Sequence, residues 1–366
     1  MQCGWVVVRV TQNLRQLVRT ELARSTRTVR VRREAEMFHS VDGRPASERS
    51  VSPHPAENAR RVLWSTVYRL PSTEFGQTME IAVIGGGTMG VGIAHRFAAN
   101  GALVSVVDVD LEVAGAAVER VEETLRTAAA LGKIEPEQAE AAIRNVSAAG
   151  SVRDLDPGLD LIVEAVIEDV EVKRSILIAA QLREPKVLAS NTSSISIDAL
   201  AEGLSMPEHF AGMHFFNPVW AMHLVEVIKG TATSQPTLDS IASMVEFLGM
   251  EQALINDSPG FATSRLGVLV GIEAIRMVAE GVAEAVDIDR AIKLGYGHPM
   301  GPLMLGDLVG LDVRLKIASH LATVYGDRFE PPELLVTMVG DGRLGKKTGF
   351  GFYDWTSGSA EPIKEI

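Results

Sequence analysis

Cysteine is nearly absent from this sequence. Cys3 is the only one in 366 residues, so no disulfide closes within one chain and no cysteine-rich metal site can form. That usage fits a reducing compartment, and a cytoplasmic protein without a bound metal is the expectation. Long apolar runs are missing too. Hydrophobic residues make up 46% of the chain, yet no run approaches the ~18 residues of a membrane span. Lysine is missing from residues 1–78, which carry 13 arginines against 7 acidic residues. The other 288 residues hold 22 basic and 40 acidic side chains, a balance of −18. An acidic body of this kind argues against nucleic acid as a partner.

Residues 1–78 do not read as a domain. Their apolar patches lie near Trp5 and Trp64, and the polar stretch between them keeps no period. A poorly ordered extension is expected there. Seven acidic residues weaken a transit-peptide reading of its arginines. Met79 directly precedes the first strand pattern, so 1–78 is expected to be dispensable for activity.

What is present is concentrated in Met79 to Asp110, MEIAVIGGGTMGVGIAHRFAANGALVSVVDVD. A β-branched apolar run leads into Gly85, Gly87 and Gly90 in G-x-G-x-x-G spacing. An apolar helical segment follows, and a second apolar run, Leu103 to Val107, ends at Asp108. Strand, glycine turn, helix, strand and acidic residue is the order of a dinucleotide-binding unit. Gly85 permits the tight turn, Gly87 lets a pyrophosphate approach the backbone, and Gly90 lets helix and strand pack closely. The Gly85-Gly86-Gly87-Thr88-Met89-Gly90 stretch, at a helix N-terminus, is the expected phosphate cradle. A carboxylate at Asp108 suits the ribose hydroxyls and repels a 2′-phosphate, so NAD is the expected cofactor.

Downstream, Leu111 to Ala130 and Glu137 to Asn145 read as a helical pair inserted after the second strand. Strand patterns then cover Asp160–Val166, Lys186–Ala189, Phe210–Phe216, Leu224–Ile228 and Glu251–Ile255, with helices over Val172–Leu182 and 236–249. From Pro259 the patterns are helical: 262–280, 287–294, 302–324 and 332–339. The reading is an α/β fold: a Rossmann-type dinucleotide-binding domain with an inserted helical pair, 79–259, followed by an all-α C-terminal domain, 260–355, and a tail, 356–366. Wide apolar helix faces in 260–350 suggest a subunit interface.

Two stretches carry the chemistry: SNTSS at 190–194 and GMHFFNPVWAMHLVEVIKG at 212–230. Oxidising a secondary alcohol needs a base for the hydroxyl proton, and a histidine held by a carboxylate suits that task near neutral pH. His214 and Glu226 lie on successive strands and form such a pair if they meet. Taken alone, the two residues fit better a satisfied core histidine beside a solvated strand glutamate.

The wider context reverses that preference. From Met79 to Trp355 the sequence resembles the L-3-hydroxyacyl-CoA dehydrogenases, especially the stand-alone bacterial 3-hydroxybutyryl-CoA type. The motifs are GGGTMGVGIA, VEAVIEDVEVK, SNTSSISI, HFFNPV…LVEVIKG, DSPGFATSRL, GHPMGPLMLGDLVGLD and GRLGKKTGFGFYDW, in the family's order. The resemblance implies reversible NAD-dependent oxidation of an (S)-3-hydroxyacyl-CoA to the 3-oxoacyl-CoA, and a homodimer joined through the C-terminal domain. It implies that His214 is the base and Glu226 its partner, and that Ser193 contacts the substrate's 3-oxygen near the nicotinamide. It implies that Asn217 positions cofactor and substrate, that Glu168, Lys173 and Lys347 contact the cofactor, and that Thr124 contacts coenzyme A.

The chain also departs from the family pattern. Where the family often has PGFIVNRL, this chain has PGFATSRL, so Ser264 replaces an active-site asparagine on the substrate side. Lysines common near position 131 are reduced to Lys133, and Trp220-Ala221 replace a proline-valine pair. These changes leave open a same-fold dehydrogenase of a non-CoA 3-hydroxy acid, carnitine-like in type. A non-catalytic, crystallin-like protein is the rival from another class, and the His214–Glu226 pair argues against it.

Overall fold

The computed structural model describes residues 78–363; the expectation for 1–77 lies outside them. Strand β1 (Glu80–Ile84) runs through the glycine turn into helix α1 (Thr88–Ala99), and β2 (Leu103–Val107) returns beside it. Helices α2 (Leu111–Ala130) and α3 (Pro136–Arg144) form the inserted pair. They lead into β3 (Val146–Ala149), a strand the sequence patterns do not announce. Its four residues, Val-Ser-Ala-Ala, are only half-buried and too short to show an alternation. The pair is therefore the crossover from β2 to β3, parallel neighbours in the sheet.

The chain then alternates β4 (Leu161–Glu164), α4 (Val170–Gln181), β5 (Val187–Ser190), the short α5 (Ile197–Ala201), β6 (Phe210–Phe215), β7 (Leu224–Lys229), α6 (Gln235–Phe247) and β8 (Glu251–Asn256). The eight strands lie in the order β3-β2-β1-β4-β5-β6-β7-β8. Every neighbouring pair is parallel except β6 and β7. Strand order reverses at β1, so a crevice opens at the carboxyl ends of β1 and β4. β4 and β5 are buried throughout, as expected for strands covered on both faces. One face carries Val83, Phe97, Val121, Leu125 and Val163 with α1, α2 and α6. The other carries Ile84, Ile162, Leu177, Leu200 and Phe210 with α4 and α5.

After β8 the chain is helical: α7 (Thr263–Ala279), α8 (Ala285–Gly295), α9 (Pro302–Val309), α10 (Leu311–Tyr325) and α11 (Glu333–Gly340). The expected single helix over 302–324 is two, because Gly310 adopts φ +105° and breaks it. Apolar residues continue on both sides of Gly310, which hides the break from a periodicity reading. The all-α expectation also needs one correction. Two-residue strands β9 (Tyr353–Asp354) and β10 (Glu361–Pro362) pair antiparallel, so the tail folds back. Val268, Ile272, Leu303, Leu321, Leu335 and Phe352 fill the core of this part.

Asp307 on α9 fastens the C-terminal segment. Its carboxylate is 1% exposed and accepts from the Phe352 and Tyr353 N–H groups and the Trp355 indole at 2.9–3.0 Å. Burial pushes its carboxyl above the usual range, and these three donors oppose that push. Removing the acceptor strands three buried donors, each costing about 1–3 kcal/mol. Asp307→Ala is therefore expected to destabilise the protein by roughly 3 kcal/mol or more. Chemical denaturation of variant and parent tests this; an unchanged midpoint would show that the segment is held elsewhere.

Candidate active site

The glycine turn is built as a cradle. At Gly85, φ is +108°, and a Cβ would lie 2.6 Å from the Ala165 carbonyl oxygen after β4. A Cβ at Gly90 would lie 1.7 Å from the Gly85 oxygen, so no side chain fits where helix meets turn. A Cβ at Gly87 would meet nothing within 4 Å, leaving open space beside the start of α1. No side chain caps that helix start. Backbone N–H groups and the positive end of the helix are thus presented at an open concavity, and the residues fit a dinucleotide's phosphates.

Asp108, at the end of β2, is tied into the same turn. Its Oδ2 accepts from the Gly86 N–H at 2.6 Å and its Oδ1 from Val109 N–H at 2.7 Å. Arg120 of α2 donates to the Gly86 carbonyl, so Gly86 is clamped at both ends of its residue. Arg120 carries no motif, and only the packing of α2 against the turn identifies it.

Glu168, in the loop after β4, gathers the SNTSS segment. Its Oε1 accepts from the Thr192 hydroxyl at 2.7 Å, and from the N–H and hydroxyl of both Ser193 and Ser194 at 3.0–3.2 Å. Burial alone would raise this carboxyl. The Lys173 charge and the Thr192, Ser193 and Ser194 donors outweigh it and hold the group below the usual range. Lys173 is 1% exposed and sits between two carboxylates, 2.8 Å from Glu164 and 3.4 Å from Glu168. Glu164, fully buried on β4, also accepts from the Ser190 hydroxyl at 2.6 Å. Lys173 and Glu168 therefore brace Ser193 as one network. Lys173 lies on neither an open cofactor surface nor a solvated helix face.

The antiparallel register of β6 and β7 sets His214 directly opposite Glu226. The imidazole Nδ1 lies 2.8 Å from Glu226 Oε2, with both residues buried. Three donors from the start of α7 converge on the same carboxylate. Ala262 N–H and Thr263 N–H reach Oε1 at 3.2 and 2.8 Å, and the Thr263 hydroxyl reaches Oε2 at 2.8 Å. Burial pushes the Glu226 carboxyl upward, but the bonds from His214 and Thr263 hold it below the usual range, and it stays ionised. A carboxylate only accepts, so Nδ1 carries a proton, and Nε2 is the nitrogen that bears the lone pair whenever the ring is neutral. Phe216 and Phe261 flank the ring at centroid distances of 4.5 and 5.9 Å.

Other side chains complete the surroundings. Asn191 Oδ1 accepts from Phe215 N–H at 2.8 Å and pins the end of β6. The Ser264 hydroxyl donates to the Ser193 carbonyl at 3.4 Å, which brings α7 to the SNTSS segment. Asn217 is exposed just beyond β6. Lys347 pairs with Asp312 of α10; nothing ties it to the glycine turn. Thr263 and Asn191 were not singled out from sequence. For Thr263 the only available signal was a hydroxyl residue following P-G-F-A.

Thr124 is bound on the flank of α1. Its hydroxyl donates to the Val121 carbonyl at 2.8 Å and accepts from His95 Nδ1 at 2.9 Å. His95 Nε2 finds no hydrogen-bond partner among the described residues, and Trp220 lies against the ring with centroids 5.7 Å apart. Burial, with the Arg96 charge beside it, lowers His95 from 6.5 to about 4. The folded chain thus resists a proton that the unfolded chain binds from pH 6.5 downward. Stability is lost as pH falls from 6.5 towards 4, by about 2 kcal/mol at pH 5 from this residue alone. His95→Gln removes the titration, so its melting temperature is expected to drop less than the parent's between pH 7 and pH 5. Equal drops would mean that His95 is protonated in the folded protein.

Comparison with known proteins assigns the chain to a family. Residues 80–258 match the family model for the 3-hydroxyacyl-CoA dehydrogenase NAD-binding domain, and residues 260–355 match the model for the family's C-terminal domain. The chain is 39% identical over 280 residues to a 3-hydroxybutyryl-CoA dehydrogenase of Clostridioides difficile, covering 76% of this chain and 99% of that protein. It is 39% identical over 284 residues to the mitochondrial hydroxyacyl-coenzyme A dehydrogenase of Sus scrofa, covering 75% and 90%. The crystal structure of (S)-3-hydroxybutyryl-CoA dehydrogenase from Ralstonia eutropha superposes with a TM-score of 0.72 at 36% identity, covering 76% of this chain and 99% of that one. By both domain models and by these relatives, the chain belongs to the 3-hydroxyacyl-CoA dehydrogenase family.

Proposed function

We propose that the protein oxidises (S)-3-hydroxyacyl-CoA, with 3-hydroxybutyryl-CoA as the reference substrate, reversibly to the 3-oxoacyl-CoA. The observation that carries the reading is the buried His214–Glu226 pair, 2.8 Å apart on neighbouring strands, within a chain of this family. NAD, when bound, supplies the hydride acceptor. Gly85 to Gly90 and the N–H groups of Thr88 and Met89 would hold its phosphates, and Asp108 would take the ribose hydroxyls. His214 Nε2 accepts the hydroxyl proton as the C3–H bond breaks, and Glu226 stabilises the imidazolium that results. The Ser193 hydroxyl and Asn217 orient the reacting oxygen, and Glu168 and Lys173 fix Ser193 from behind.

Thr124 is the contact to coenzyme A in this reading. Its hydroxyl proton is used on Val121 and one lone pair on His95, so a single acceptor site remains for an N–H of the substrate. Ser264 lines the substrate side next to Ser193. Lys347 is the cofactor contact contributed by the helical part.

The test is NADH consumption with acetoacetyl-CoA, beside free acetoacetate and dehydrocarnitine, for the parent and His214→Ala. Turnover of the thioester alone is expected, with kcat/KM about 10³-fold lower in the variant. Turnover of a free acid but not the thioester would overturn the coenzyme A assignment.

A homodimer through the helical part is the quaternary reading. Leu266 and Val270 of α7 are 61% and 41% exposed, and Leu305 and Leu308 of α9 are each 40% exposed. A surface with that many large apolar side chains suits a subunit interface. Sedimentation should find the parent as a dimer at micromolar concentration and Val270→Asp/Leu305→Asp as a folded monomer. A monomeric parent would dismiss the interface.

A further inference from the structure

The family often carries valine and asparagine where this chain has Thr263 and Ser264. The second change shortens a side chain beside Ser193. The first adds a hydroxyl at the most consequential carboxylate in the protein. Glu226 Oε2 accepts from two donors at the same distance, His214 Nδ1 and Thr263 Oγ1, both at 2.8 Å. A valine at this position keeps the backbone bond from Thr263 N–H to Oε1 but offers nothing to Oε2.

We propose that Thr263 is a positioning residue that sets how strongly Glu226 supports His214, through a hydroxyl that competes with the imidazole for one carboxylate oxygen. The proposal rests on the reading of His214 as the base. Negative charge on Oε2 stabilises the imidazolium, and a second donor on that oxygen takes up part of the charge. The hydroxyl therefore weakens the hold on the protonated ring and keeps the imidazole available as a base at lower pH. It also fixes the carboxylate in the plane the ring needs, because both oxygens are tied to the first turn of α7.

The surroundings leave Thr263 as the group able to do this. Among the described residues, His214 is the one titratable side chain in contact with Glu226. On the far side β8 sets Ala253 in register with Glu226. From α7 come only Ala262, Thr263 and their N–H groups, while Arg265 turns away to stack on Tyr325 at 4.0 Å. Phe216 and Phe261 cover the ring. The other charges of the site, Glu164, Glu168 and Lys173, pair among themselves, with Lys173 between the two carboxylates.

The experiment compares the full-length parent with Thr263→Val and Thr263→Ser. It measures kcat/KM for 3-hydroxybutyryl-CoA oxidation from pH 5 to pH 10, the melting temperature, and the His214 ring signal by NMR titration, with His214→Asn identifying that signal. Thr263→Val is expected to move the rising limb of the rate profile, and the ring's titration, to higher pH by about half a pH unit or more. On the rising limb, well below its midpoint, activity should fall about threefold or more, while Thr263→Ser restores both curves. If the ring signal does not move in Thr263→Val, the proposal is overturned and the assignment of the base survives. If the ring signal moves but the rate profile does not, His214 is not the kinetic base, and the proposal falls with that reading. A lower melting temperature with both curves unmoved reduces Thr263 to a structural role and also overturns it.

Discussion

The rest of the structure depends on one antiparallel strand pair in an otherwise parallel arrangement. Parallel neighbours slant their hydrogen bonds. Antiparallel partners stand directly across from each other, with side chains of one residue pair on the same face. β6 and β7 use this to set His214 against Glu226 with both backbones already fixed. Putting an ionised carboxylate in a fully buried position is costly unless its lone pairs are filled. Four donors fill them here: the imidazole, and three groups from the start of α7. The site's electrostatics thus also bond the helical part to the sheet, and a change at either end reaches the other through Glu226.

The same device recurs. Helices α7 and α9 both begin without a side-chain cap of their own. Each is capped by a carboxylate from elsewhere in the chain: Glu226 serves α7, and Asp289 of α8 serves α9 through Leu303 and Met304 N–H at 2.8 Å. A capping carboxylate meets both the unsatisfied N–H groups and the positive end of the helix. Glu168 does the same for the SNTSS turn and Asp307 for the C-terminal segment. These tertiary caps make the separate segments converge, where local caps would stabilise each helix alone.

This explains what could be read from the sequence. The glycine turn, Asp108, most of the strands and the helical second part were legible because their signals are local: spacing, β-branched runs and 3.6-residue periods. The pairing of His214 with Glu226 was legible only as a possibility, since register is a property of two strands and neither encodes it alone. Lys173 shows the limit in the other direction. The resemblance makes it a cofactor contact, yet Glu164, nine residues earlier on β4, holds it as a buried cation. Thr263, Asn191 and Arg120 were missed for the same reason: each acts on a group far away in sequence. β3 was missed because four half-buried small residues have no pattern, and the break at Gly310 because apolar helix continues on both sides.

The contrast between the His214–Glu226 pair and the flank of α1 follows from these bonds. Beside His214, four donors hold the Glu226 carboxylate, so the position of the pair is fixed by the fold itself. On the flank of α1 the situation differs. Val219 packs over Gly92, where a Cβ would lie 2.8 Å from Val219 Cγ2, and Trp220 covers His95, whose Nε2 is buried with its lone pair unfilled. An unfilled buried acceptor costs free energy in the resting fold. The chain therefore carries this unfilled acceptor beside the loop that holds Trp220 and Ala221, and not at the His214–Glu226 pair. The two networks use different partners, His95 with Thr124 on one side and His214 with Glu226 on the other, so a substitution on the α1 flank leaves the donors to Glu226 in place.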